Sequence, residues 1–173
     1  FLNTVGSYIS GKKDVLLLIN DSVFTAKIGK DTIYTRIIDE KFPDYESVIP
    51  KDNDKELQVD RKELLAAVKR VSIFSNKTTQ QVAMKTETSK LLITTEDPEK
   101  ASKAQEVLSV SYESDSIEIG FNASYLKDVL SHLTSDNITL KLNTPISASL
   151  FYPDNNTEDE KTSMLLMPIR LNE

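Results

Sequence analysis

Cysteine and tryptophan are absent from this chain, and histidine occurs once. The first absence excludes disulfide frameworks, thiolate metal sites and cysteine nucleophiles. With His132 alone, a multi-histidine metal cluster is impossible, and nothing around it supports the base of a Ser-His-Asp triad. The four glycines form no G-x-G-x-x-G and no G-x-x-x-x-G-K, so no nucleotide cradle is visible. No window holds about 18 apolar residues, so no membrane-spanning helix is expected. No basic segment followed by an apolar stretch opens the chain, so no secretion signal is visible. The four Asn-x-Ser/Thr matches, at Asn76, Asn122, Asn137 and Asn155, are read as chance. The run Asp154–Lys161 lacks the spaced ligands and turn glycine of a calcium loop and is read as a solvated hairpin loop. Acidic pairs such as Glu96-Asp97 and Asp159-Glu160 read as loop charges. No catalytic constellation and no cofactor site emerge. Acidic residues outnumber basic ones by 27 to 21, a net charge of −6. That balance argues against coating of nucleic acid by the whole surface, but it leaves room for a local basic face.

What is present begins with a repeat. Residues 1–9 read FLNTVGSYI, and residues 125–133 read YLKDVLSHL. Phe1 aligns with Tyr125, Leu2 with Leu126, Val5 with Val129, Ser7 with Ser131 and Ile9 with Leu133. Each segment is followed by a polar turn and an apolar strand, Val15–Ile19 or Ile138–Leu142. The spacing is about 124 residues, the size of a small domain. The later copy follows some 70 residues of further domain (roughly half a domain of ordinary size), so the chain is expected to begin inside a domain.

Period-two apolar patterns place strands near 14–19, 22–28, 32–38, 56–59, 80–86, 89–95, 105–113, 115–121, 137–142, 146–152 and 162–170. Two full helices interrupt them. The first is expected over 61–75, with Asp60 and Glu63 in a capping-box pattern and Asn76 as its stop. The second is expected over 123–133, with Asn122 as N-cap. Residues 1–9 read as the tail of a third. The fold class is therefore α+β, with antiparallel hairpins and helices on one face. A polar, proline-bearing stretch at 46–55 marks a boundary.

On the first full helix, Leu64, Leu65, Val68 and Val71 form an apolar stripe. The far side carries Lys62, Ala66, Lys69 and Ile73, flanked by Arg70. This basic face is either a solvated surface or a set of sequence-independent phosphate contacts. Ile73 and Phe74 at the helix end read either as an interface or as residues covered by a neighbouring loop.

Three stretches then point to one family. They are Phe42-Pro43-Asp44-Tyr45 with Val48-Ile49-Pro50, Ile117 through Leu126 (IEIGFNASYL), and Leu165 through Leu171 (LLMPIRL). In order and spacing the chain resembles the bacterial beta sliding clamps, the processivity subunits of DNA polymerase III. The resemblance implies a DNA-clamp fold with two helices per domain. It implies that 1–45 are the C-terminal half of the middle domain, 46–50 a linker, and 51–173 the complete third domain. It further implies a non-catalytic, cytoplasmic protein without cofactors, whose intact subunits close head to tail as a homodimeric ring around duplex DNA. Lys62, Lys69 and Arg70 would face DNA, and Ile73 and Phe74 would lie in the dimer seam. A pocket would dock polymerase, clamp loader and repair proteins through short motifs of a glutamine followed by apolar residues, often leucine and phenylalanine. Its matching positions are Pro43, Val48, Asn122, Tyr125, Ile146, Leu165, Met167, Pro168, Ile169 and Arg170. This chain departs from the family pattern at Ser47, where relatives often carry arginine, at Thr79, where an aromatic is frequent, and in the terminal Asn172-Glu173. The alternative function is a peptide-binding adaptor without a DNA role.

Overall fold

The computed structural model describes residues 1–9, 14–157 and 160–171. They fall into two compact units, Phe1–Asp44 and Tyr45–Glu173. The Glu158-Asp159 part of the acidic loop and the terminal Asn172-Glu173 lie outside the described residues.

The first unit is a short helix, α1 (Leu2–Tyr8), and a three-stranded antiparallel meander of β1 (Val15–Ile19), β2 (Val23–Ile28) and β3 (Asp31–Arg36). Gly29 takes positive φ, 61°, in the turn between β2 and β3, where a Cβ would be strained. Among the described residues the buried core of this unit is Val5, Ala26 and Ile28, with Phe1, Val15 and Ile33 packed against it. Leu16, Leu17, Leu18 and Ile19 of β1 remain exposed.

The second unit contains two copies of one motif, a strand, a helix and three strands. The first copy is β4 (Lys55–Asp60), α2 (Arg61–Ser72), β5 (Gln81–Glu87), β6 (Lys90–Asp97) and β7 (Ser102–Ser109). The second is β8 (Glu118–Asn122), α3 (Ala123–His132), β9 (Asn137–Leu142), β10 (Ser149–Pro153) and β11 (Met164–Leu166). The sheet orders are β7-β6-β5-β8 and β11-β10-β9-β4. Each copy thus gives its leading strand to the other copy's sheet. The ladder from β4 to β9 runs Lys55↔Leu142 to Asp60↔Asn137, and that from β8 to β5 runs Gln81↔Asn122 to Lys85↔Glu118. Alternation fixes which face is inside: Leu57 and Val59, Val82 and Met84, Leu91 and Ile93, and Ile138 and Leu140 all join one core with α2 and α3. The helices pack on each other, and Leu64, Val68 and Val71 of the expected stripe are buried.

Several boundaries differ from the sequence reading, each for a local reason. Helix α2 ends at Ser72 and tightens through bonds from Phe74 N to Val71 O and Ser75 N to Ser72 O. Asn76 lies beyond that end, where its Oδ1 accepts from Thr78 N and Thr79 N. Strand β10 starts at Ser149 rather than 146, because a Thr144–Ser147 turn precedes it. Strand β11 is only three residues long, since Pro168 has no N–H to continue a ladder. Arg61 does not contribute to a basic face. It donates from Nε to Ser135 O and from Nη1 to Leu130 O, satisfying a carbonyl in the last turn of α3.

Candidate functional site

Val48, Tyr125, Ile146 and Met167 of the second unit stand in solvent, each 59–63% exposed. The backbone that carries Tyr125 is nonetheless well anchored. Asn122 caps α3, with Oδ1 accepting from Ser124 N at 2.9 Å and Tyr125 N at 3.3 Å. Its Nδ2 donates to Thr79 O at 3.2 Å, so the Asn122 amide is engaged by the fold on both ends. Tyr125 lies in the first turn that this cap fixes.

Helix α3 packs against β11. Leu165 sits in β11 opposite Leu150, and Ile169 N donates to Gly120 O at 2.8 Å. Gly120 has to be glycine here, because a Cβ would lie 2.7 Å from Ile169 O and 2.7 Å from Leu171 Cδ2. The sequence reading passed over Gly120 as a site residue, although glycine inside a strand pattern signals a close backbone approach. Between these anchors Met167 is exposed, Pro168 and Ile169 are half-buried, and Arg170 is exposed. Asn122 ends β8, Tyr125 lies in α3, Leu165 lies in β11, and Ile169 pairs with Gly120 of β8. Val48 ends a 3-10 helical turn, Tyr45–Val48, and Ile146 sits in the turn before β10. Pro43 belongs to the first unit and is exposed.

The expected basic face is less basic than its composition implies. Arg70 makes a bidentate ion pair with Glu106. That bond raises the guanidinium above its ordinary value and holds the Glu106 carboxyl below the usual range. Lys62 Nζ lies 2.8 Å from Asp136 Oδ1, and the Asp136 carboxyl is lowered by that hydrogen bond. Lys69 alone of the three makes no ion pair among the described residues. Neither acid was singled out from the sequence, because Glu106 is 36 and Asp136 74 residues away from its partner along the chain.

Ile73 is 75% exposed at the end of α2, and Phe74 is half open. Beside them, Ser102 Oγ donates to Phe74 O at 3.2 Å, which sets the start of β7 against the helix end. Strand β7 is an outer strand of its sheet and exposes Val107. His132 is exposed, with Nδ1 2.8 Å from Asp128 O. Among the described residues no three His, Cys, Asp or Glu side chains gather as for a metal ion, and no helix is long and apolar enough to cross a membrane.

Comparison with known proteins places this geometry. The beta sliding clamp of Pseudomonas putida is 36% identical over 157 residues, covering 91% of this chain and 42% of that protein. The clamp of Vibrio cholerae is 34% identical over 160 residues, covering 92% and 43%. Among solved structures, a sliding clamp (DNA polymerase III subunit beta) of Bartonella birtlesii bound to griselimycin superposes with a TM-score of 0.85 at 31% identity. It covers 98% of this chain and 44% of that one. A DNA polymerase sliding clamp of Pseudomonas aeruginosa with ligand gives 0.83 at 31% identity, with 92% and 43% covered. The chain therefore spans less than half the length of the relatives it matches. The family model for the DNA polymerase III beta subunit, C-terminal domain, matches residues 46–170. With its α+β clamp fold, the chain belongs to the bacterial beta sliding clamp family.

Proposed function

We propose that this chain is the C-terminal portion of a processivity clamp for replicative DNA polymerase, a non-catalytic subunit that docks partner proteins through the surface of its second unit. The observation that carries this reading is the exposure of Tyr125, Ile146 and Met167 on firmly bonded backbone. Large apolar side chains held in solvent are an interaction surface rather than a core element. With Val48, Leu165, Pro168 and Ile169 they offer walls for leucine and phenylalanine of a short peptide, while Asn122 and Arg170 offer polar groups.

The domain assignment follows the strand exchange. In the second unit the strand after each helix, β5 or β9, is paired on both edges. The corresponding β1 is paired only with β2 among the described residues, and its Leu16, Leu17, Leu18 and Ile19 are exposed. Residues 1–45 thus read as half of a middle domain, 46–50 as a linker and 51–173 as a third domain. Intact subunits form a cytoplasmic head-to-tail homodimer around duplex DNA, with Lys62, Lys69 and Arg70 toward the DNA. Ile73, Phe74 and the outer edge of β7 form the seam. Full-length protein loaded on circular DNA should be retained and should leave when the circle is cut. Equal retention on linear DNA with free ends sinks the reading.

The paired states of Lys62 and Arg70 favour a second reading, a peptide-binding adaptor with no DNA role. Charge reversal of Lys62, Lys69 and Arg70 separates the two. Clamp-dependent synthesis that survives unchanged makes the basic face only a solvated surface.

A further inference from the structure

We propose that Asn53 is a positioning residue for the peptide-docking surface, holding the turn that carries Ile146 in register with the segment that carries Val48. This rests on the peptide-pocket reading above. Asn53 lies two residues before β4, whose ladder with β9 opens at Lys55↔Leu142. Its side chain reaches the end of the β9–β10 ladder, whose terminal pair is Leu150↔Lys141. Nδ2 donates to Lys141 O at 2.8 Å, at the end of β9, and to Ala148 O at 3.0 Å, just before β10. One amide therefore bridges both ends of the turn 143–148.

Neighbouring bonds work in the same direction. Asn143 Nδ2 donates to Asp52 O at 3.2 Å and to Asp52 Oδ2 at 3.1 Å. Inside the turn, Ser147 N donates to Thr144 Oγ1 at 3.1 Å, and the two hydroxyls meet at 2.5 Å. Ile146 sits at the crest of this turn with its side chain in solvent, so its own contacts do not hold it. Its position comes from the turn, and the turn is tied down through Asp52 and Asn53. Only Ile49, Pro50 and Lys51 separate those two residues from Val48. The same staple therefore sets the spacing of two proposed walls.

A packing role alone does not account for this amide. Its Oδ1 is buried with no hydrogen-bond partner among the described residues, while Nδ2 makes two donor bonds. Ser149 Oγ, at the start of β10, is likewise buried without a partner. Preorganised walls bind a flexible peptide more tightly, because less ordering remains to be done on binding.

The test uses a fluorescent peptide with a glutamine followed by leucine and phenylalanine, read by anisotropy. It compares wild type with N53A, N53D, I146A, M167A and the pairs N53A/I146A and N53A/M167A. Hydrogen exchange of residues 144–148 is followed in parallel. N53A should weaken the peptide about tenfold, and N53A/I146A should bind no worse than I146A alone. N53A and M167A should instead multiply. Exchange at 144–148 should rise in N53A and N53D while β5 and β6 stay protected, a pattern that general destabilisation does not produce. Unchanged exchange, unchanged affinity, or simple multiplication of N53A with I146A overturns the assignment of Asn53. If wild type binds no peptide, or I146A binds as wild type does, the pocket reading itself falls and takes this inference with it.

Discussion

Arg70 and Glu106 meet in a two-point ion pair, Nε to Oε1 at 2.6 Å and Nη2 to Oε2 at 2.6 Å. Glu106 lies on the half-buried face of β7, between Ala104 and Leu108, and so leans toward α2. The pair ties the last turn of α2 to an outer strand and cancels one charge of the expected DNA-facing set. Replacing Glu106 by glutamine should release that charge. In the full-length protein, E106Q is expected to steepen the salt dependence of DNA binding by about one phosphate contact, whereas R70Q, which removes a charge already paired, should leave it nearly unchanged. Anisotropy titrations at several salt concentrations read this directly. Identical slopes in both variants would remove Arg70 from the DNA face.

The two helix caps give a stability prediction. Asp60 Oδ1 accepts from Glu63 N at 2.8 Å, and Asn122 caps α3 while also holding Thr79. D60A should cost about 1 kcal/mol. N122A should cost more, about 2 kcal/mol, since it also leaves Thr79 O without its donor. Urea unfolding measures both. A loss for N122A below that of D60A would mean that the Thr79 link carries no weight.

Gly120 offers a sharper case. An alanine Cβ would push on Ile169 O and Leu171, so G120A should destabilise by about 1–3 kcal/mol. It should also increase hydrogen exchange at Ile169 N, the donor to Gly120 O. G120A with an unchanged urea midpoint would show that the C-terminal segment is not seated as described.

Acid should weaken the fold through three carboxylates. Asp97 is held low mainly by its bond to Lys100, Glu106 by Arg70 and Asp136 by Lys62. Each folded value lies below the unfolded one, so the unfolded chain binds more protons in between. Their stabilisation is fully present above the unfolded values, near pH 4, and is lost as pH falls through the folded ones. The urea midpoint should be level from about pH 5 to 7 and should fall below about pH 4. D97N, which changes the most buried of the three, should flatten that fall. A midpoint that rises on acidification would contradict the sign.

Ile73 and Phe74 separate assembly from folding. Both are exposed at the end of α2, so I73S/F74S should move the urea midpoint of this chain by less than about 0.5 kcal/mol. In the full-length protein the same change should shift sedimentation from dimer to monomer. A dimer that survives it would place the seam elsewhere.

The strands were legible because one face of each sheet is buried, which forces alternation such as Val82, Met84 and Thr86 in β5. The caps were legible because Asp60 and Asn122 are local signals. The exchange of β4 and β8 was not, since nothing local tells a strand which copy's sheet it will join. Pro168 announced a break that the reading of a strand over 162–170 ignored. Among the site residues, local pattern set Ile73 opposite the core stripe but left open whether Ile73 and Phe74 are exposed or covered by a loop. It could not show that Lys62 and Arg70 are neutralised, because their partners arrive through tertiary folding. Nor could it show Arg61 turning toward Leu130 O, because that carbonyl belongs to the other helix.

The traded leading strands have a consequence for how the second unit comes apart. Neither copy of the motif can close its own sheet, so neither is a folding unit by itself. Cutting the chain in the Glu113–Asp115 connection should leave two pieces that are each largely unstructured and that recover their circular dichroism on mixing. A solitary piece that folds would contradict this. The two halves are in effect an obligate heterodimer written on one chain, and its linker supplies proximity rather than structure.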